Sequence, residues 1–281
     1  MGEVTDIFFA PRPPGWQRYV ATGDSFTEGL SDAPVQPGEF RGWADLLAQS
    51  LSDRRRQARL PALEYGNLAI RGRLLAPILD EQVPAALELE PDLISIAGAG
   101  NDFLRPGGDP DRLGAHLDRV VRSVRRRGID VLLATGMDTR LAGPLLTVMR
   151  PKVAIYNAHV WSIARNYGAY VLDVWGLKAL QHRRMWAEDR VHMSTQGHQR
   201  VRQAALVALG LEPDDADWAG TVQADPKQPR SVRLREDVSW LKRDVYPWAT
   251  RRLRRRSTGD VRVPKRPDAE PVDSGEIPDR D

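Results

Sequence analysis

The sequence predicts an α/β fold in three α/β/α layers, with helices on both faces of a mostly parallel sheet of about five strands. Two observations lead to this fold class. Short apolar runs of strand length alternate along the chain with longer segments whose apolar residues recur at helical spacing. One run, "DLISIAG" within residues 91–100, is apolar at successive positions, which is usual for a strand buried on both faces.

Each element is justified by its own pattern. Strands are predicted at residues 17–24, 62–70, 91–100, 129–136 and 169–175. Helices are predicted at residues 41–57, 74–89, 109–128, 151–168 and 195–210. Pro84 is expected to kink the second helix, because proline lacks an N–H group and its ring clashes with the preceding turn. These elements place one domain at residues 1–211.

The C-terminal part has a different composition. Residues 212–230 are acidic and then proline-rich, which predicts a linker. Residues 231–256 predict a basic amphipathic helix, and residues 257–281 are expected to be disordered. Three roles stay open for the helix: docking on the domain, contact with an anionic membrane surface, or nucleic-acid binding. We consider nucleic acid unlikely to be the partner, because no recognition motif accompanies the arginines.

Composition excludes some classes of function. The chain of 281 residues has no cysteine, so disulfides, thiolate zinc sites and cysteine nucleophiles are excluded. No apolar run has the length of a membrane-spanning helix, and the N-terminal residues lack a secretory pattern. We expect a cytoplasmic protein without a cofactor or metal site.

Polar residues follow the predicted strands. Because parallel strands end at one edge of their sheet, these residues are expected to lie near one another. They are Ser25, Gly72, Asn101 and Asp138. Ser25 follows the first strand in "GDSFTEG", and it could be either a nucleophile or a helix cap.

A serine nucleophile needs a base, and His192 is the best candidate. It lies in "AEDRVHMSTQGH", a predicted loop, and Asp189 precedes it by three residues. In a tight turn Asp189 can reach Nδ1 of His192, so that Nε2 faces a serine. A surface ion pair is the alternative for these two residues. The remaining histidines are read as structural or ordinary: His116, His159, His182 and His198.

The attacked carbonyl oxygen becomes negative and needs hydrogen-bond donors. The candidates are the backbone N–H groups of Ser25 and Gly72 and the side-chain amide of Asn101. Gly72 could instead be a turn glycine, and Asn101 could hold a turn or cap a helix. We interpret Asp24 and Asp102 as residues that order the loops around the site.

Four segments resemble the conserved blocks of the SGNH hydrolases, also called GDSL esterases and lipases. "GDSFTEG" at 23–29 is similar to block I, "AIRG" at 69–72 to block II, "GND" at 100–102 to block III and "DRVH" at 189–192 to block V. They occur in the family's order and cover roughly residues 17–210. One departure is Ala99, where the family usually has glycine.

The resemblance implies a flavodoxin-like fold and a serine ester hydrolase that acts on a small-molecule ester. It implies Ser25 as nucleophile, His192 as base, Asp189 as its orienting group, and Ser25, Gly72 and Asn101 as the oxyanion hole. An acyltransferase or a deacetylase on the same scaffold remains an alternative. A non-catalytic binding protein that acts through its basic C-terminal segment is another.

Overall fold

A computed structural model describes residues 15–32, 40–105, 107–141, 147–220, 222, 240 and 262–272. Its centre is a six-stranded sheet, ordered β5-β4-β3-β1-β2-β6. The first five strands are parallel, and β6 runs antiparallel to β2. The strands are Arg18–Thr22 (β1), Glu64–Asn67 (β2), Leu93–Ile96 (β3), Asp130–Ala134 (β4), Tyr170–Leu172 (β5) and Arg266–Pro271 (β6).

Helices cover both faces of the sheet, and the predicted fold class is confirmed. The helices are Ser25–Glu28 (α1), Trp43–Gln57 (α2), Leu75–Pro77 (α3), Val83–Glu88 (α4), Gly100–Phe103 (α5), Pro110–Arg125 (α6), Arg150–Tyr167 (α7) and Thr195–Ala208 (α8). Residues of α2 and α8, such as Trp43 and Leu206, belong to one apolar core. Residues of α6 and α7, such as Val121 and Val160, belong to a second core on the other face. The described helices include none that is long and apolar enough to cross a bilayer.

The strand order places a crevice between β1 and β3. The chain passes from β1 to β2 on one side, and then returns to add β3 on the other side of β1. In open α/β sheets, ligands bind at such a reversal, beyond the carboxyl ends of the strands. Ser25 follows β1 and Asn101 follows β3, so both residues lie beside this crevice.

The helix predicted at 74–89 is present, but its irregularity differs from the expected kink at Pro84. The segment Ile78–Gln82 is a π-helical turn between α3 and α4. Pro84 cannot donate to the carbonyl one turn earlier, and widening that turn avoids the clash with its ring. The distortion therefore precedes the proline.

The expectation of disorder is wrong for part of 257–281, because Arg266–Pro271 forms β6 and adds a sixth strand. Val272 beyond it is buried, and its N–H donates to the Leu63 carbonyl at 2.8 Å. The strand has two prolines and no apolar alternation, so its sequence gave no strand signal. Backbone pairing at the sheet edge, where proline is tolerated, holds it in place.

Other predictions for the C-terminal part lie mostly outside the described residues. Of the predicted basic helix at 231–256, the structure describes Trp240. Of the predicted linker, it describes residues 212–220 and 222. The domain boundaries and a membrane-surface role for the basic helix therefore stay predictions.

Candidate active site

Ser25 lies at the start of α1, directly beyond β1. Asp24 is the N-cap of this helix, and its carboxylate accepts the Phe26 N–H at 3.0 Å. The capping role that Ser25 could have had therefore belongs to Asp24. A Cβ atom on Gly23 would lie 2.5 Å from Thr27 Oγ1 and 2.8 Å from the Ala97 carbonyl oxygen. Only glycine fits there, so the backbone packs closely against Thr27 and Ala97 just before Asp24 and Ser25.

His192 and Asp189 come together with Ser25. The Asp189 carboxylate accepts the backbone N–H groups of Val191 and His192, both at 3.0 Å. Its other oxygen lies 2.5 Å from Nδ1 of His192, and Nε2 of His192 lies 3.2 Å from Ser25 Oγ. The three side chains form one hydrogen-bonded chain from carboxylate to hydroxyl. Both Asp189 and His192 are partly buried, unlike a surface ion pair.

The electrostatics keep Asp189 ionised. Burial alone would raise its pKa, but the hydrogen bonds and positive charge from His192, with backbone N–H donors, hold its pKa below the usual value. Asp189 therefore remains a carboxylate at neutral pH. A carboxylate at Nδ1 fixes the imidazole orientation and favours the form in which Nε2 can accept a proton.

The sequence from residue 21 to residue 200 matches the model of the GDSL-like Lipase/Acylhydrolase family. This match spans well over half of the chain. The chain belongs to this family. Membership confirms the resemblance found in the sequence and supports an esterase or acylhydrolase that takes small-molecule esters. No curated protein matches the sequence.

Solved structures with the same fold include an acetyl xylan esterase and an alpha/beta hydrolase enzyme. A variant of Axe2, an acetyl xylan esterase from Geobacillus stearothermophilus, has 21% identity and a TM-score of 0.59, and the match covers 71% of this chain and 97% of that one. LAE5, an alpha/beta hydrolase enzyme from the metagenome of Lake Arreo, Spain, has 24% identity and a TM-score of 0.57, with 73% and 97% covered. TesA has 22% identity and a TM-score of 0.55, with 69% and 98% covered. At these identities the likeness establishes the fold alone.

In this GDSL-family chain, a cavity of about 140 Å³ opens beside Ser25 and His192. Apart from Ser25 and His192, the residues that line this cavity are mostly apolar. Part of the cavity wall comes from Met137, Thr139 and Met149. Other apolar lining residues are Phe103, Leu104, Val153 and Trp186. A largely apolar cavity next to a hydroxyl and an imidazole suits an apolar group attached to a reacting carbonyl.

The candidate oxyanion donors differ in their placement. Ser25 N–H belongs to the first turn of α1, where backbone N–H groups have no partner within the helix. Gly72 is half-buried with φ of 76°, in a turn where Arg73 N–H donates to the Ile70 carbonyl at 3.3 Å. Asn101 is one of the described residues that line the cavity, and Gly72 is not.

The Asn101 amide already has partners. Its Nδ2 donates to Asp24 Oδ2 at 2.9 Å and to the Arg73 carbonyl at 3.1 Å. A new negative oxygen would therefore have to compete with one of these acceptors. Asn101 also ties together the segments that follow β1, β2 and β3.

Asp24 and Asp102 have the loop-ordering contacts expected of them. Burial raises the pKa of Asp24 to about 6, although its hydrogen bonds and the nearby His192 oppose that shift. Asp24 holds Phe26 and Asn101, while Asp102 accepts the Leu75 N–H at 2.9 Å. The two carboxylates thus connect the segments around Ser25 to their neighbours.

His198 borders the same cavity but differs from His192. Its Nδ1 accepts the backbone N–H of Trp43 at 3.2 Å. Burial lowers the pKa of His198 to about 3, so its imidazole is neutral at physiological pH. His116 and His159 face Asp80 and Asp111 on helix surfaces away from the cavity. Among the described residues, no cluster of three or more histidines and acids could hold a metal ion.

Ala99 adopts a backbone conformation that suits glycine, the residue that the family usually has at this position. It has φ of 76°, in the left-handed region that favours glycine. The loop turns at Ala99, and Gly100 begins α5. Helix α5 carries Asn101, so this strained residue contributes to its position.

Sequence reasoning missed Gln82, which fixes Gly23 from the π-helical turn. Its Oε1 accepts the Gly23 N–H at 2.8 Å, and its Nε2 donates to the Gly23 carbonyl at 3.1 Å. The Gln82 side chain is buried. It satisfies the backbone N–H and carbonyl of Gly23, two residues before Ser25, where water would otherwise bind. A glutamine within a helical pattern gives no signal of such a contact.

Proposed function

We propose that this protein is a serine ester hydrolase in which Ser25 is the nucleophile, His192 the general base and Asp189 its orienting group. The observation that carries the proposal is the continuous chain Asp189–His192–Ser25, with separations of 2.5 and 3.2 Å, beside a largely apolar cavity. A hydroxyl alone is a weak nucleophile, and an adjacent base held by a carboxylate activates it.

The proposed reaction has two stages. Ser25 Oγ attacks the ester carbonyl carbon while His192 Nε2 takes the hydroxyl proton, and the carbonyl oxygen becomes an oxyanion. The oxyanion collapses, the bond to the alcohol oxygen breaks, and His192 returns the proton to the departing alcohol. Water then attacks the acyl-enzyme, with His192 as base, and releases the acid and free Ser25. Backbone N–H of Ser25, Gly72 N–H and Asn101 are the proposed donors to the oxyanion.

The cavity favours an acyl group longer than acetyl. An apolar cavity of about 150 Å³ holds a molecule the size of benzene, so this one accommodates about four to eight carbon atoms. The structural likeness to an acetyl xylan esterase makes sugar deacetylation the competing proposal. A sugar acetate would leave most of this apolar wall unfilled, so we propose a short- to medium-chain acyl ester.

The test of the proposal combines turnover with active-site labelling. The full chain should hydrolyse p-nitrophenyl esters, and a fluorophosphonate should abolish hydrolysis as it forms one adduct. Peptide mass spectrometry should locate that adduct on Ser25. Absence of hydrolysis on every ester tested, together with absence of an adduct at Ser25, would contradict the proposal. Transfer of the acyl group to added alcohols at the expense of hydrolysis would favour the acyltransferase alternative.

Chain-length preference should depend on Met149. Each buried methylene contributes about 0.8 kcal/mol, so kcat/KM should rise about fourfold per carbon from acetate to about hexanoate. Met149→Trp adds volume to the cavity wall and should shift the optimum to shorter esters, with acetate hydrolysis within about threefold of wild type. The matched control is Val148→Trp, because Val148 is 78% exposed and does not border the cavity. An acetate optimum in the wild type, or equal effects of both variants, would contradict this prediction.

A further inference from the structure

We propose that Trp240 is a positioning residue for His192, so that a residue outside the family-matched core is part of the active-site architecture. The inference rests on the proposed function, since it assigns to Trp240 a role in that reaction. Trp240 lies 40 residues beyond the end of the family match at residue 200. A residue outside the family-matched core therefore contacts the candidate active site.

The contact is direct and specific. Trp240 Nε1 donates a hydrogen bond to the Asp189 carbonyl at 2.6 Å. The guanidinium of Arg190 lies over the Trp240 ring, 5.1 Å from its centroid. Trp240 itself is only 9% exposed, so it is packed against the protein. One side chain thus holds two consecutive residues of the turn that presents His192.

This turn is closed at its base and strained at its tip. It is closed at its base by a bridge between Trp186 and Met193, and Ala187 N–H donates to the His192 carbonyl at 2.9 Å. Arg190 at its tip has φ of 59°, a left-handed conformation that non-glycine residues seldom adopt. Surrounding structure has to maintain such a conformation. Trp240 supplies contacts to the strained residue and to the peptide before it.

The geometry explains why this position matters for the reaction. Rotation of the peptide that follows Asp189 would move Asp189 relative to His192 Nδ1, since their contact spans only three residues. His192 Nε2 would then move relative to Ser25 Oγ. By fixing the Asp189 carbonyl, Trp240 limits this rotation. It touches no reacting atom and acts through Asp189 and Arg190.

Lys265, which also lies beyond the family match, contacts the helix that begins with Ser25. Lys265 Nζ donates to the carbonyls of Glu28 and Phe40 at 2.7 and 2.8 Å, and it pairs with Asp45 at 2.6 Å. Glu28 ends α1, the helix that begins with Ser25, and a cation at a helix C-terminus is favourable. Strand β6 follows directly and fixes Lys265 to the sheet. Two described residues beyond the family match, Trp240 and Lys265, therefore contact the acid–base turn and the nucleophile helix.

The decisive variant is Trp240→Phe, which keeps an aromatic ring for Arg190 but removes the N–H donor. With p-nitrophenyl hexanoate, we expect kcat to fall about 5- to 20-fold with KM within about twofold, because misorientation lowers the rate more than binding. The matched control is Trp161→Phe, since Trp161 is 49% exposed on α7. Its kcat should equal that of wild type.

Two results would overturn the proposal. One is a kcat of Trp240→Phe within twofold of wild type, and the other is an equal loss in Trp240→Phe and Trp161→Phe. Amide hydrogen exchange gives a second readout that needs no turnover. The N–H groups of Val191 and His192, which bond Asp189, should exchange faster in Trp240→Phe than in wild type, while amides of β3 should be unchanged.

Amide hydrogen exchange also separates the positioning role of Trp240 from the proposed esterase function. If the wild type hydrolyses no ester, the proposed function fails, yet faster exchange at Val191 and His192 would still support the positioning contact. Unchanged exchange at these two amides would overturn the role of Trp240 even in an active enzyme. Thermal unfolding of each variant identifies any general loss of the fold, which would instead speed exchange in β3 as well.

Discussion

Ser25→Ala is expected to lower kcat for ester hydrolysis about 10⁴- to 10⁶-fold, with KM nearly unchanged. Alanine removes the oxygen that attacks the carbonyl, so no acyl-enzyme can form, whereas the cavity that binds the acyl group is unaltered. His192→Ala should lower kcat by a similar factor, because the proton passes from Ser25 Oγ to His192 Nε2 across their 3.2 Å contact. Steady-state kinetics on p-nitrophenyl hexanoate measure both losses.

The double variant distinguishes a concerted unit from two separate contributions. Residues that act together in one step are strongly non-additive, so Ser25→Ala with His192→Ala should be about as slow as either single variant. Ser123→Ala is the matched control, because Ser123 is an exposed residue of α6. Retention of more than about a tenth of wild-type kcat in Ser25→Ala would contradict the nucleophile assignment. Multiplicative losses in the double variant would contradict the shared proton transfer.

The sequence predicted the part of the site that depends on strand order. Ser25 and Asn101 could be located because each follows an apolar strand, and parallel strands end at one edge. The short spacing between Asp189 and His192 allowed their contact to be anticipated. These features depend on local pattern and on topology, both of which the linear sequence expresses directly.

The remaining features depend on tertiary contacts that leave no local pattern. Strand β6 is polar, contains two prolines and is held by backbone pairing, so neither alternation nor propensity indicates it. Gln82 and Trp240 each act through a hydrogen bond to a backbone segment far along the chain. Ala99 is left-handed although alanine disfavours that conformation, because the loop between β3 and α5 imposes it.

These contacts change how the C-terminal region should be understood. Its sequence left docking on the domain, membrane contact and nucleic-acid binding open. The described residues connect it to the domain at Trp240, at Lys265 and along β6. Removal of the region would therefore expose an edge of the sheet and release contacts near the site. Single substitutions are more informative than truncation for this reason.

Asn101→Ala is expected to lower kcat about 100-fold at pH 8, with KM within about threefold. Loss of one oxyanion donor costs about 10²- to 10³-fold in comparable reactions. The lower value applies here because Nδ2 has to exchange an existing partner for the oxyanion. The Arg73 carbonyl, at 3.1 Å, is the weaker partner, since Asp24 is charged at this pH. A hydrogen bond to a full negative charge is roughly twice as strong as one to a neutral carbonyl, so the exchange is favourable.

The assay pH matters because burial raises the pKa of Asp24 to about 6. At pH 8 Asp24 is ionised and keeps the Asn101 amide oriented, so the comparison reports on the donor alone. Asn101→Asp has nearly the same shape but no donor, and its charge faces Asp24, so its loss of kcat should be at least as large. If Asn101→Ala keeps kcat within fivefold of wild type while its unfolding temperature falls, Asn101 only ties the loops together. The oxyanion would then be stabilised by the backbone N–H groups of Ser25 and Gly72.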